Sequence, residues 1–576
     1  MPLQKAGVKI TMKQRAPVTD NPRNTAWIDI AFLTVLLGVF FFFGLDNRPL
    51  FVPDEARYSE IAREMLALHD FITPHLNGVK YFEKPVLFYW LGALAFKIGG
   101  LHIGAIRAVN AILGTLGCLL TYIAARTLYG RAAGLISACI QATSLLYFLM
   151  LHVANLDLSL CFFLSLSLYS FLLSTLTGSE KIQRLLVGFA FAASGLAVLT
   201  KGLIGFAFPC LIIGTWIIIL KEWHVLKKLY LPSSLLIFAV IVLPWHILVQ
   251  IRNPEFFSFY VIHQQFLRYA TLEAHRYQPI WFFIPVLFIG FLPWIVFLPQ
   301  SLFSALPKTW RNRFTFKNEL YLILWVALIF AFFSFSKSKL ISYILPIIPP
   351  LSILTARYLT DGLSRYTSHY GIKIGFILLA LIQLGLAITL CKLPSFYQLA
   401  QPEKAAHYAY LMAVILLTGS ITLFFLQHYQ HTQKALIAIF ITTAAAMIIG
   451  VSAAPYLDSR TILPLAKTIQ LLKQPNHYNN DDVIAYKKYY QDLPFYLKQR
   501  ITLVGAPAEL QFGMQHQDTA QWIIDENTFW QRWNGEHRIF VIADRDDLIT
   551  LQQNHPHEIF HILNQTTHNV LFSNMP

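Results

Sequence analysis

The stretch VLFYWLGALAFKIGG, residues 86–100, decides how the chain is threaded. It is apolar enough to pass for a membrane span, but it holds Lys97 and is about fifteen residues long, where a span needs about 20. Charge placement elsewhere decides its reading, because Lys and Arg concentrate in loops on the inner side of a membrane. The N-terminal Lys5, Lys9, Lys13, Arg15 and Arg23 are opposed only by Asp20, so that end belongs inside. If 86–100 does not cross, the loops with Arg126/Arg131, Lys181/Arg184, Lys221/Lys227/Lys228 and Lys308/Arg311/Arg313/Lys317 also fall inside. If it crosses, all of them fall outside. The segment is therefore expected as a juxtamembrane helix on the outer surface.

Composition agrees with this class. The chain has 576 residues, 56% hydrophobic and 13% charged, with mean hydropathy +0.52, against about 25% charged in soluble proteins. An α-helical polytopic membrane protein follows, with about thirteen transmembrane helices in residues 1–454 and a long outer loop at 46–102. After Ala454 the pattern changes. VIAYK, RITLVG, RIFVIA and EIFHIL read as strands, LPFYLKQ and DDLITLQQ as helices. Residues 455–576 are thus expected as a soluble α/β domain on the outer side. Met1–Ala26 is polar, so no cleavable signal is expected there. The net charge of +15 is the basic bias of inner loops, and no nucleic-acid partner is expected. Cys118, Cys139, Cys161, Cys210 and Cys391 all lie in apolar segments, which argues against a disulfide framework or a cysteine metal site.

The outer loop collects ionisable groups that the rest of the chain lacks. In FVPDEARYSEIAREM, 51–65, Pro53 suits the first turn of a helix, and Asp54 and Glu55 suit its positive end. Tyr58, Ile61, Ala62, Met65 and Leu68 form an apolar stripe, with Arg57, Glu60 and Glu64 on the opposite face. Such a face can be no more than a solvated set of ion pairs. Basic residues on the outer side argue for more. Lys84, Lys201, Arg268 and the pair Lys337/Lys339 fall in separate outer loops, and Lys201, Lys337 and Lys339 have no acidic neighbour nearby in sequence. Cations at an interface without local counter-ions suggest an anionic ligand such as a phosphate, the plainer alternative being lipid headgroups. Asp157 in HVANLD opens a span at the same face. Glu83 and His263 could share a metal, but two ligands from distant loops are a poor metal signal, and neither metal nor cofactor is expected. Asp29, near the start of the first span, caps or pairs without an evident role.

Residues 51–65 followed by NGVKYFEKP, 77–85, resemble the first outer loop of lipid-linked-sugar glycosyltransferases related to protein O-mannosyltransferases. Within that GT-C group the chain is most similar to the bacterial undecaprenyl-phosphate aminoarabinose transferases. HVANLD, LTKGLIG (199–205) and SKLISYILPIIPP (338–350) match in order, so the likeness spans most of residues 45–350 and is weak in the C-terminal domain. Ile341 departs from it where proline is expected.

The resemblance implies an enzyme of the bacterial inner membrane whose active site and C-terminal domain face the periplasm. It implies an undecaprenyl-phosphate-linked sugar as donor, lipid A phosphates as acceptor and 4-amino-4-deoxy-L-arabinose as the sugar moved, conferring resistance to cationic antimicrobial peptides. It also implies Asp54 as the catalytic carboxylate and Lys84, Arg268 and Tyr343 as ligands of the donor phosphate. Glu55, Arg57, Tyr58, Tyr81, Asp157 and Lys201 would line the sugar and acceptor pocket. Three rivals stand beside this reading: a relative using mannose or a hexosamine or acting on protein, a lipid-linked-sugar flippase, and a receptor. A flippase would need polar groups through the bilayer midplane, whereas here they gather at one face. A receptor leaves the charged loop unexplained.

Overall fold

The computed structural model describes residues 22–267, 277–364, 370–392, 401–457, 461–473 and 482–576. The described residues begin with α1 (Pro22–Phe42), and the loop after it carries α2 (Asp54–Leu68), a short hairpin of β1 (His75–Leu76) and β2 (Val79–Lys80), and α3 (Leu87–Gly99). The bundle continues with α4 (Ile103–Tyr129), α5 (Arg131–Ala142), α6 (Leu145–Leu151), α7 (Leu156–Ser174), α8 (Glu180–Lys201) and α9 (Ile204–Leu220). Further helices at Leu231–Arg252, Lys317–Phe335, Tyr370–Lys392, Pro402–His428 and Thr432–Ala453 complete it.

Among the described residues, nine helices are long and apolar enough to cross a membrane, or up to eleven if each of two bent pairs is one span. Length and composition alone do not confirm the expected count of thirteen, for reasons visible in particular segments. Helix α9 is only 17 residues long, and 340–358 divides into a 3₁₀ turn at Ile341–Ile347 and the helix Ile348–Ser364. The pair Ile280–Gly290 and Trp294–Ala305 bends by 107°, and α5 bends from α6 by 62°. Sequence hydropathy registers none of these breaks.

The segment 86–100 forms a helix. Helix α3 buries Phe88, Tyr89, Gly92, Ala93 and Phe96, while Leu94 and Ile98 stay exposed. A Cβ at Gly92 would come within 2.9 Å of the Ala62 Cβ. The missing side chain is what lets α3 lie this close to α2.

The C-terminal domain carries a six-stranded sheet in the order β5-β4-β3-β6-β8-β7. Its strands are β3 (Asp482–Tyr486), β4 (Thr502–Val504), β5 (Ile523–Ile524), β6 (Ile539–Asp544), β7 (His561–Gln565) and β8 (Asn569–Ser573). The four strands from β5 to β6 run parallel, and β8 and β7 add antiparallel edges. The four expected strands and both expected helices are present, whereas β5 and β8 were not foreseen. The buried strands read as apolar runs, as in any sheet covered on both faces.

This domain is docked on the loop that carries α2 and α3 and shares a hydrophobic core with it, including Ile61, Met65, Leu493, Phe495 and Leu503. The Asn77 side chain donates to the Ile501 carbonyl at 2.9 Å and accepts from the Ile501 N–H at 2.8 Å, as a strand neighbour would. Trp522 Nε1 donates to the Asn77 carbonyl at 3.0 Å, and Gln517 bridges Lys80 N and the Gly78 carbonyl. Phe259 stacks on Phe512 with centroids 3.7 Å apart.

Candidate active site

The cluster begins with helix ends. The Asn155 side chain caps α7 by accepting from Leu158 N at 3.0 Å, which sets Asp157 in the first turn. Lys201 is the last residue of α8, which stops at Gly202 (φ +97°), a backbone conformation open to glycine. Ser342 and Tyr343 stand in the 3₁₀ turn Ile341–Ile347, where the exposed Ile341 replaces the expected proline. These segments converge. Lys201 Nζ is paired with Asp157 Oδ1 and lies 4.4 Å from the centre of the Tyr343 ring, a cation–π distance. Ser342 Oγ donates to Asp157 Oδ2 at 2.7 Å.

Lys201 thus has a counter-ion, 44 residues away in sequence, which corrects the picture of an unaccompanied cation. Lys339 is also engaged. It is buried, its ammonium donates to the carbonyls of Gln278 (2.9 Å) and Ser336, and burial lowers its pKa. Lys337 is exposed.

The second part of the site is α2. Asp54 begins the helix with its side chain 34% exposed and accepts from Arg57 Nη1 at 3.2 Å. The Arg57 guanidinium, nearly buried, lies 5.9 Å from the centre of the Tyr81 ring and forms an ion pair with Glu509 of the C-terminal domain. Glu509 is held in turn by Gln491 Nε2 at 2.8 Å. Tyr58 packs beside Phe88 and Tyr89. Burial raises the pKa of its phenol, and the carboxylates of Asp54 and Asp157 push it further the same way. Both acids therefore lie within electrostatic reach of one side chain, which ties the α2 and α7 parts of the cluster together. The buried hydroxyls of Tyr81 and Tyr89 have no hydrogen-bond partner among the described residues. Buried polar atoms normally do.

Glu55 is placed differently from a pocket residue. It is wholly buried and accepts from Arg107 (2.7 and 2.9 Å), Arg48 Nη1 (3.0 Å), Phe51 N (2.7 Å) and Ala154 N (2.8 Å). Burial alone would raise its pKa, but the guanidiniums of Arg107 and Arg48 overcome this and hold it at about 2. Arg107 also donates to the carbonyls of Leu45, Arg48 and Pro49. Glu55 is the centre of a knot that ties the loop to α4 and to the chain before α7.

The charged face of α2 is not solvated either. Arg63 forms a two-pronged pair with Glu60 at 2.8 and 2.6 Å, and Glu64 accepts from Gly78 N at 3.0 Å. All three are buried, beneath the C-terminal domain, whose Lys498 carbonyl accepts from Arg63 at 3.5 Å. Lys84 and Glu83 are half-buried on the loop from β2 to α3, and Glu83 lies near enough to Arg57 to raise its pKa, against the lowering effect of burial. His263 is exposed in the π-helix Ser258–Leu267, stacked on Phe259. Arg268 lies outside the described residues. Asp29, left without a role above, is paired with Arg126 and Arg131, each at 2.7 Å. The sequence reading did not single out Ser342 or Glu509. Ser342 stands next to Tyr343 in an already quoted motif, but Glu509 carries no local signal.

Residues 31–260 match the family described as dolichyl-phosphate-mannose-protein mannosyltransferase. Residues 467–571 match the aminoarabinose transferase C-terminal domain, so the likeness extends into the part where the sequence alone was weak. An Edwardsiella ictaluri protein named undecaprenyl phosphate-alpha-4-amino-4-deoxy-L-arabinose arabinosyl transferase is 30% identical over 531 residues, 89% of this chain and 91% of that one. The chain belongs to this transferase family. A Pseudomonas paraeruginosa protein of the same name is 28% identical, over 87% of this chain and 88% of that one. The crystal structure of ArnT from Cupriavidus metallidurans bound to undecaprenyl phosphate superposes with a TM-score of 0.83 at 26% identity, covering 96% of this chain and 98% of that one. In this transferase family, then, the fold is a multi-pass helical membrane domain followed by a sheet-bearing C-terminal domain.

Proposed function

We propose that this chain moves 4-amino-4-deoxy-L-arabinose from undecaprenyl phosphate to the phosphates of lipid A, at the outer face of the inner membrane. It is a glycosyltransferase that draws its sugar from a polyprenyl phosphate. The observation that carries the reading is the 30% identity to a named aminoarabinose transferase across 89% of the chain. The cluster of Asp54, Arg57, Tyr58, Asp157, Lys201 and Tyr343 supports it, since it offers cations, carboxylates and phenols at one end of the bundle. Adding a cationic sugar to lipid A lowers its negative charge and its attraction for polymyxin-like peptides.

The chemistry asks for two things. Breaking the glycosyl–phosphate bond leaves its electron pair on the departing undecaprenyl phosphate and positive charge on the sugar ring. Lys84, Arg268 and Tyr343 are assigned to the phosphate, where fixed cations in a poorly hydrated site stabilise developing charge. Asp54 is assigned to the sugar or the acceptor. A phosphate acceptor has a second pKa near ~6 and is already largely ionised, so a general base has little proton to remove. Asp54, partly engaged by Arg57, then acts mainly by position and by charge opposite the electron-poor anomeric carbon. The displacement is single, with inversion. Glu55 is assigned to holding the loop rather than touching substrate.

Mass spectrometry of lipid A tests this, in a deletion strain complemented with the wild-type chain, Lys84→Ala or Asp54→Asn. The expected result is aminoarabinose added by wild type, none by Lys84→Ala and a reduced amount by Asp54→Asn. Unmodified lipid A from correctly inserted wild-type protein would overturn the substrate assignment.

A further inference from the structure

The end of the bundle opposite Asp157 and Lys201 carries a second feature that the transfer reaction does not use. Where α7 ends and α8 begins there is a polar hollow of about 150 Å³ lined by Thr175, Gln183, Glu222, His224, Lys228 and Lys317, among others. It shares three wall residues, Phe171, Val187 and Leu229, with a neighbouring cavity of about 210 Å³. That cavity is apolar, with Phe191, Phe206, Pro209, Ile213, Leu231 and Leu235 in its wall. The two spaces are therefore continuous in their lining and opposite in character.

The charge in the polar part is not balanced. Glu222 is taken up by His224, with Oε2 and Nδ1 3.0 Å apart. Lys228 and Lys317 have no carboxylate partner among the described residues. Lys317 is instead anchored through its backbone, whose carbonyl accepts from Trp216 Nε1 at 2.9 Å. The apolar part has open space at its wall, since a Cβ at Gly214 would meet nothing within 4 Å.

We propose that these two spaces form one binding site for an anionic phospholipid of the leaflet remote from the catalytic end. The phosphate sits between Lys228 and Lys317, and an acyl chain lies along the cavity of α7, α8 and α9. Charge complementarity selects the headgroup, because two ammonium groups without a carboxylate partner among the described residues attract an anion. The apolar cavity selects a chain-bearing ligand over a free phosphate. Net-neutral lipids place a choline or ethanolamine cation beside the lysines and are disfavoured.

Native mass spectrometry of the full chain in detergent tests the site, with phosphatidylglycerol, phosphatidylcholine or inorganic phosphate added singly. The variants are Lys228→Gln/Lys317→Gln, which removes the charge, and Gly214→Phe, which fills the cavity. Gly214→Phe enters open space and the lysine pair is partly exposed, so monodispersity and Tm serve as folding controls. The expected result is retention of phosphatidylglycerol over phosphatidylcholine by at least about tenfold, lost in both variants, with no stable phosphate adduct. Equal retention of the two lipids, or phosphatidylglycerol retained by either variant, overturns the proposal. A phosphate adduct as persistent as the lipid overturns it in favour of a plain anion site.

Discussion

Asp54 and Glu55 are consecutive carboxylates in one helical turn, and they belong to two different regions. The region around Glu55, with Arg107, Arg48, Glu60, Arg63 and Glu64, is sealed, and its charges accept or donate within the protein. The region around Asp54, Asp157 and Lys201 is half-open, with short-range partners and two buried phenols, Tyr81 and Tyr89, left without any among the described residues. Both are dense in charge, so charge density alone does not mark a site. Residual accessibility together with incomplete satisfaction does. A sealed knot fixes geometry, and an open cluster keeps capacity for a ligand.

The sharpest way to break this contrast is Glu55→Ala. It strips a fully buried arginine, Arg107, of its carboxylate, and orphaning a buried charge costs roughly 3–5 kcal/mol. The expected result is a large fall in Tm and in yield of folded protein, read by thermal denaturation in detergent. Activity lost at unchanged Tm would instead make Glu55 a site residue. The same group sets a pH dependence. Its folded pKa of about 2 lies below its ordinary value of 4.5, so it contributes stability above pH ~4.5, about 3 kcal/mol in all. That contribution is lost as pH falls from ~4.5 towards ~2. The Tm gap between wild type and Glu55→Gln should narrow over that interval, and a constant gap would refute the linkage.

Lys201→Ala probes the open region. Transfer to lipid A should drop by roughly 10²-fold, while Tm falls far less than in Glu55→Ala. Matched losses of Tm and activity would move Lys201 to the sealed class. Glu509→Ala should have the smallest effect. It frees the Arg57 guanidinium without removing its hold on Asp54, and kcat/KM should fall about tenfold, near 1.4 kcal/mol. Glu509→Gln should recover part of the loss, and no change in kcat/KM for either variant would detach the C-terminal domain from the site.

What could be read in the sequence divides along the same line. The class of protein, the helix α3 and the convergence of HVANLD, LTKGLIG and SKLISYILP rest on local composition and motif order, both visible in one dimension. The distant partners of Arg63 and Arg57 were not legible. Glu60 is held by its helix neighbour Arg63, but Arg63 and Arg57 are also engaged by the Lys498 carbonyl and the Glu509 carboxylate, more than 400 residues away in sequence, and contacts across that separation leave no local pattern. An α2 that is apolar on one face and charged on the other looks solvated until something covers the charged face. The span count is not confirmed for another reason: hydropathy windows do not see the 107° bend near Pro293 or the 3₁₀ turn at Ile341–Ile347, and helices broken in this way fall outside a test by length and composition.

The hydrogen-bond clasp between Asn77 and Ile501 carries a consequence for biosynthesis. Residue 77 leaves the ribosome more than 400 residues before its partner exists. The early loop must wait, with Glu60, Arg63 and Glu64 uncovered, until almost the whole polypeptide has been made and its last domain has arrived. A prematurely terminated chain, however well inserted, is left with that charged face of α2 uncovered.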